Sequence, residues 1–312
     1  MKKIIWSIAL IGVIILVIAP IWSFAILPPQ LIMPEDVDES VTYTGEASVA
    51  NPQNLTQLAG PFDLTINRSY VGIDTTNDGN AVILEETAVV NIDSPFTPPQ
   101  TEKFIMAVDR KTYEHLNEDD EKWDHPRYGK FTFGLHPPKE DVDFWLHDIN
   151  DTVVAKYDGT TTYEGFSVIK YSMKDTRQIT KNAQLIDTYA GMAYYYGNSY
   201  LNGLYFKEDS YVYVDEISGI ILYIDRNTEL VGDFTHIPSN MNFNVTLSKM
   251  SYKFDEVTSD KLLKDARAAD DNIVFVETII PITIIVIGAV ILIIGIVFIV
   301  YKKRKEKRAQ TD

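Results

Sequence analysis

A membrane-length apolar run stands near each end of this 312-residue chain, with lysine or arginine on its outer-terminal side. Residues 4–27 follow Lys2-Lys3, and residues 279–301 precede Lys302-Lys303-Arg304-Lys305-Glu306-Lys307-Arg308. A helix rises about 1.5 Å per residue, so ~30 Å of hydrocarbon takes roughly 20 apolar residues. The first run carries only Ser7 and Ser23 as hydroxyls, and Trp6 and Trp22 suit its two interfaces. Pro20 bends its outer end, and Pro28-Pro29 cannot continue it. The second run has Pro281 in its first turn and closes on Tyr301. The positive-inside bias sends both termini to the cytoplasm. Ser23-Phe24-Ala25 has the small-x-small form of a signal-peptide cleavage site. The apolar stretch exceeds the roughly 7–15 residues of a secretory h-region, so a retained anchor is expected. Gly12, Gly288 and Gly295 give no small-xxx-small motif, so two separate anchors are expected rather than a specific helix pair. Neither run holds an ionisable residue between its flanks, which argues against an ion path through them.

The expected organisation is therefore residues 1–3 inside, a span at 4–27, an outer domain at 28–277, a span at 278–301 and a basic tail at 302–312. The whole chain carries −16. Setting aside Lys2, Lys3 and the tail's six bases and two acids leaves 20 bases and 42 acids, a net of −22 outside. Such a domain repels nucleic acid and anionic headgroups. High solubility accounts for the charge most simply; attraction of divalent cations or basic partners is the alternative. The absence of cysteine removes thiolate catalysis and thiolate metal sites and points to a prokaryotic envelope. Four sequons lie in the expected outer part, at Asn54, Asn67, Asn150 and Asn244, and make it a candidate glycoprotein.

The outer domain reads as strands. Residues 64–71 and 82–92 flank Asn77-Asp78-Gly79-Asn80, a hairpin signal. Residues 104–108, 130–135, 152–157 and 166–173 follow, the last two around Asp158-Gly159 and Glu164-Gly165. Residues 211–217 and 220–225 join through Ser218-Gly219, and 241–254 alternates. Short helices are expected at 140–149 and, capped by Ser259, at 260–270; 180–207 shows no clean period. The fold class is mainly β, an antiparallel curved sheet or barrel-like sandwich with small helical insertions between two terminal transmembrane helices.

No catalytic, cofactor-binding or metal-ligating residue is assigned. Asp74 to Glu85 nearly matches a calcium loop, but its flanks alternate like strands, so a hairpin is preferred. Gly197-Asn-Ser199 lacks the last glycine and the setting of a nucleophile elbow. Asp119, Asp120, Asp124 and His125 lie in an acidic run with His115 nearby, more simply a solvated loop than a hydrolytic metal site. The tyrosine-rich segment 189–205 fits core filling, or an apolar pocket or surface for lipid or glycan.

Several short signatures resemble a prokaryotic family of two-span membrane proteins labelled porin-A-like. They are Val108-Asp109-Arg110-Lys111-Thr112, Lys156-Tyr157-Asp158-Gly159 with Tyr163-Glu164-Gly165-Phe166, and Val214-Asp215-Glu216-Ile217-Ser218-Gly219-Ile220. The segment from Lys139 to Asp148, with Phe144-Trp145, resembles that family's lysine-aromatic-tryptophan-aspartate stretch. The resemblance spans nearly the whole chain and brings no catalytic residues. A porin barrel crosses by alternating strands rather than apolar helices, which fits this chain poorly. The two-anchor layout is similar to that of scavenger-receptor class B proteins, whose ectodomains bind lipid, although those carry disulfides. The expected role is a non-enzymatic envelope protein in the lipid bilayer, its outer domain binding lipid, glycan or a surface protein, with no cofactor and no nucleic acid. The alternatives are a metal-dependent extracellular hydrolase or a pore-related protein.

Overall fold

In a computed structural model the described residues are 2–22, 32–51, 54–118, 120–124, 126–195, 199–237 and 239–308. The chain divides into two units, Met33–Ala266 and the two terminal segments Met1–Ile32 with Arg267–Asp312.

Ten antiparallel strands make one continuous sheet in the first unit: β1 (Asp38–Asn51), β2 (Asn54–Thr75), β3 (Ala81–Ile92), β4 (Gln100–Asp109), β5 (Val142–Leu146), β6 (Asp151–Tyr163), β7 (Phe166–Gln178), β8 (Ser199–Asp215), β9 (Ile221–His236) and β10 (Met241–Phe254). Their order is β4-β3-β2-β1-β10-β9-β8-β7-β6-β5, a meander broken once where β1 pairs with β10. The sheet curls into a half-barrel, so the expected curved sheet stands and two packed sheets do not form. The described residues of the crossing segment 113–134 link the two edge strands through isolated bridges, Val108 to His115, Glu114 to Lys130 and Lys130 to Phe144. Those edge backbones thereby find partners within the fold.

Local chemistry explains most of the pairing. Gly79 (φ 69°) turns β2 into β3, where Thr75 faces Val82. Asp215 Oδ2 accepts the N–H groups of Ile217 and Ser218 at 3.1 and 2.7 Å, and this tightens the turn from β8 to β9. Asp158-Gly159 is a bulge inside β6, since the register shifts between Tyr157 and Thr160, and the turn proper falls at Glu164-Gly165.

Three expectations need correction. Residues 142–146 form β5 rather than a helix, because they pair antiparallel with β6 from Val142–Ala155 to Leu146–Asp151; only His147–Ile149 makes a 3-10 turn. The helix placed at 260–270 begins earlier, as α3 (Glu256–Val274), since Asp255 Oδ1 caps the Thr258 N–H at 2.8 Å, one turn before Ser259. Within 180–207, Ala183–Tyr195 is a helix, α2, which the tyrosines obscured, and β8 follows it.

In the second unit α1 (Lys2–Ile21) packs on α4 (Ile280–Arg308), which follows α3 through a π-helical turn, Phe275–Ile279. Gly12 and Gly288 sit at the crossing: a Cβ on Gly12 would lie 2.7 Å from Leu292 N, and one on Gly288 2.9 Å from Leu16 Cγ. The two helices therefore pair through glycines, contrary to separate anchors; the glycines lie on different helices, so no spacing within either run marks the contact. The continuous helix Glu256–Lys305 contains a stretch long and apolar enough to cross a membrane. In the first helix the apolar stretch among described residues is Leu10–Ile21, and Ser23–Ala25 lies outside them. Ile285, Val286, Ile293 and Phe298 are exposed on α4, an arrangement suited to a hydrocarbon solvent.

Candidate functional site

The curled sheet surrounds a cavity of about 630 Å³, within the ~300–1,000 Å³ of small-molecule sites. One wall is aromatic: Phe131 and Phe133 from the crossing segment, with Phe144 and Trp145 from β5. Val212, Ile221 and Ile224 of β8 and β9 make an aliphatic wall, and Leu262 of α3 completes it. Two hydrogen bonds seat the start of α3 on β1: Asp255 N–H donates to Thr42 O at 3.0 Å, and Thr42 N–H donates to the Thr258 hydroxyl Oγ1 at 3.0 Å.

The cavity also has a polar pole. Arg226 donates through Nε to Glu208 Oε1 at 2.9 Å, through Nη2 to Asp148 Oδ2 at 2.7 Å and through Nη1 to the Tyr252 hydroxyl at 2.7 Å. Ser210 Oγ donates to the same Glu208 carboxylate. Beside this group, Arg68 Nη1 donates to Glu86 Oε1 at 2.8 Å, and His147 Nε2 lies 3.0 Å from Glu86 Oε2. His147 rests against the Phe104 ring, centroids 5.1 Å apart.

Burial pushes the Glu86 carboxyl up, but His147 and Arg68 outweigh it and hold the group at about 2. Asp148 is likewise driven up by burial and brought down to about 2 by Arg226 and Arg68. Its side chain stays 37% exposed, which marks it as a charged group facing the cavity. For Arg226, burial lowers the guanidinium pKa, but Glu208, Tyr252 and Asp148 outweigh it and raise it well above the ordinary value, so the arginine stays charged. Burial, with Glu86 nearby, pushes the Tyr70 hydroxyl well up, so it stays neutral.

The sign of the pH dependence follows. Glu86 drops from an ordinary 4.5 to about 2 on folding, so its contribution is complete above about pH 4.5 and disappears as pH falls toward 2. Its size is ~3 kcal/mol at about 1.36 kcal/mol per unit. Denaturant unfolding of wild type and Glu86→Gln between pH 6 and pH 2.5 should show a stability gap that narrows on acidification. A gap independent of pH would contradict this account.

The sequence contained a signal for this site that alternation alone passes over. Arg68 is in phase with Leu64 and Ile66, and Glu86 with Val82, Leu84 and Ala88, all on the buried side of their strands. A charged residue in the apolar phase of a strand is the mark of a buried network. Trp145 and Asp148 were already singled out within the aromatic-tryptophan-aspartate stretch.

Other candidates are dispersed. Asp74 and Asp78 cap their own hairpin turn, accepting from Thr75 and Asn80 N–H groups. Asp124 Oδ2 accepts the Ile105 N–H at 2.7 Å and Asp120 Oδ1 the Lys122 N–H at 2.9 Å; Asp119 and His125 lie outside the described residues. Among the described residues no group of three or more His, Asp or Glu is placed to hold a metal. Ser199 opens β8, in no strand-to-helix elbow. Tyr189 of α2 packs on the main core, while Tyr200 is exposed. Asn54, Asn67 and Asn244 are exposed on strands, and Asn150 follows the 3-10 turn at φ 50°.

The fold and site define a protein with a curled β-domain around an amphipathic cavity and a helix long and apolar enough to cross a membrane. The family model "Porin PorA" matches residues 7–297, and the chain belongs to that family. Family and apolar helix together indicate a membrane location in the cell envelope. No curated protein is matched by its sequence. Among solved structures, an acyl-CoA hydrolase from Agrobacterium tumefaciens is similar at 8% identity over 64% of this chain and 74% of that one; its TM-score of 0.14 carries no argument.

Proposed function

We propose that this is a non-enzymatic envelope protein whose β-domain lies outside the membrane and holds an amphipathic small molecule, of lipid type, in its cavity. The carrying observation is the cavity itself, about 630 Å³ with aromatic and aliphatic walls and a charged, hydrogen-bonding pole. Apolar surface of this kind drives uptake, and a few placed polar groups orient what enters. Full-length protein extracted gently from its native membrane should carry one amphiphile per chain in native mass spectra. Ile224→Trp, which fills the aliphatic wall, should remove that mass. A wild-type protein without any such adduct would end the proposal.

Family membership supports a second reading, a pore-related role for the same chain. Stepwise conductance from purified full-length protein in planar bilayers would favour it, and silence would count against it.

A further inference from the structure

Resting on the cavity reading above, we propose that the bound amphiphile has an uncharged, hydroxyl-bearing head, of the monoacylglycerol or sugar-headed kind, rather than an anionic or quaternary ammonium one. The cavity's cations are already committed. All three nitrogens of Arg226 donate to Glu208, Asp148 or Tyr252, and Arg68 is paired with Glu86. At the exposed rim Lys261 bridges Glu39 and lies 3.9 Å from Asp265, with Asp38 nearby. An entering carboxylate or phosphate would lose its hydration and find no uncommitted cation, while facing Asp38, Glu39, Asp148 and Asp265.

The hydrogen-bonding inventory points the same way. Asp148 is held ionised by Arg226 and Arg68, so it acts as an acceptor whose charge is already compensated. Its carboxylate lines the cavity and is partly exposed to it. That oxygen is met by a ligand that donates a hydrogen bond. A hydroxyl does so without bringing charge, a carboxylate has none to give, and a trimethylammonium has no N–H.

The test presents full-length protein with an equimolar mixture of 1-monomyristoylglycerol, myristate and tetradecyltrimethylammonium, which share a chain length. Native mass spectra count only adducts that Ile224→Trp removes. The glycerol ester should exceed each competitor by about tenfold, a difference of about 1.4 kcal/mol. Asp38→Lys, which reverses a rim charge away from the buried cluster, should raise the share of myristate. Predominance of myristate or of the ammonium compound in wild type would overturn the head-group assignment while leaving the cavity reading intact. No Ile224→Trp-sensitive adduct of any of the three would overturn both.

Discussion

Arg226→Met is expected to destabilise the β-domain by ~3–5 kcal/mol, the cost of leaving a buried partner charge uncompensated. Glu208 is fully buried and loses its guanidinium, and Asp148 loses one of the two arginines that hold it ionised. Methionine keeps most of the side-chain volume, so the loss reports charge rather than a cavity. The double variant Arg226→Met with Glu208→Gln should recover a large part of the loss, because the fully buried carboxylate is then replaced by a neutral amide and Asp148 keeps Arg68. Denaturant midpoints of the three proteins decide the matter. A single variant within about 1 kcal/mol of wild type would mean that the cluster is hydrated and contributes as a surface pair does.

The second large effect is steric. Gly219 takes φ 73° in the turn from β8 to β9, and a Cβ there would lie 1.6 Å from Gly134 O. No side-chain rotation relieves a clash with backbone. Gly219→Val should lose more than ~4 kcal/mol and give little folded protein, combining strain at positive φ with displacement of the crossing segment. That segment carries Phe131 and Phe133 into the cavity, so a folded remnant should also have lost amphiphile binding. Gly159→Val is the matched control: it too has positive φ, but nothing stands within 4 Å of its Cβ position. Folding yield and thermal unfolding of the two variants separate the clash from the torsional strain. Equal loss in both would show that the approach to Gly134 matters little.

These two expectations tie the signatures of the chain to its interior. Ser218-Gly219 and Asp215 build a turn that touches the segment lining the cavity. Arg110, in the signature after β4, donates to Met33 O at 2.7 Å and Gly79 O at 3.0 Å and pins the first strands together. The family's short turn motifs are thus fasteners of the curled sheet, whereas Trp145 and Asp148 reach the cavity itself.

The sequence by itself determined what depends on neighbours along the chain. The length of an apolar run decides a helix able to cross a membrane, as within Ile280–Arg308. Glycine at positive φ decides a hairpin, at Gly79, Gly165 and Gly219. Alternation over 241–254 decides a strand. Where two local signals competed, reading along the chain failed: tyrosines hid α2, and the Phe-Trp pair in β5 imitated a helical face. Asp255, lying outside the expected helix, turned out to be its cap. The cavity and its charge cluster belong to tertiary structure alone. Glu86 meets His147 and Arg68 from other elements, and Arg226 gathers Asp148, Glu208 and Tyr252 from three more. A charge in the apolar phase of a strand announces an interior partner but cannot name it, because the partner is chosen by the curl and register of the sheet. The glycine crossing of α1 and α4 has the same origin: closeness between backbones nearly 280 residues apart is set by packing, and no local pattern encodes it.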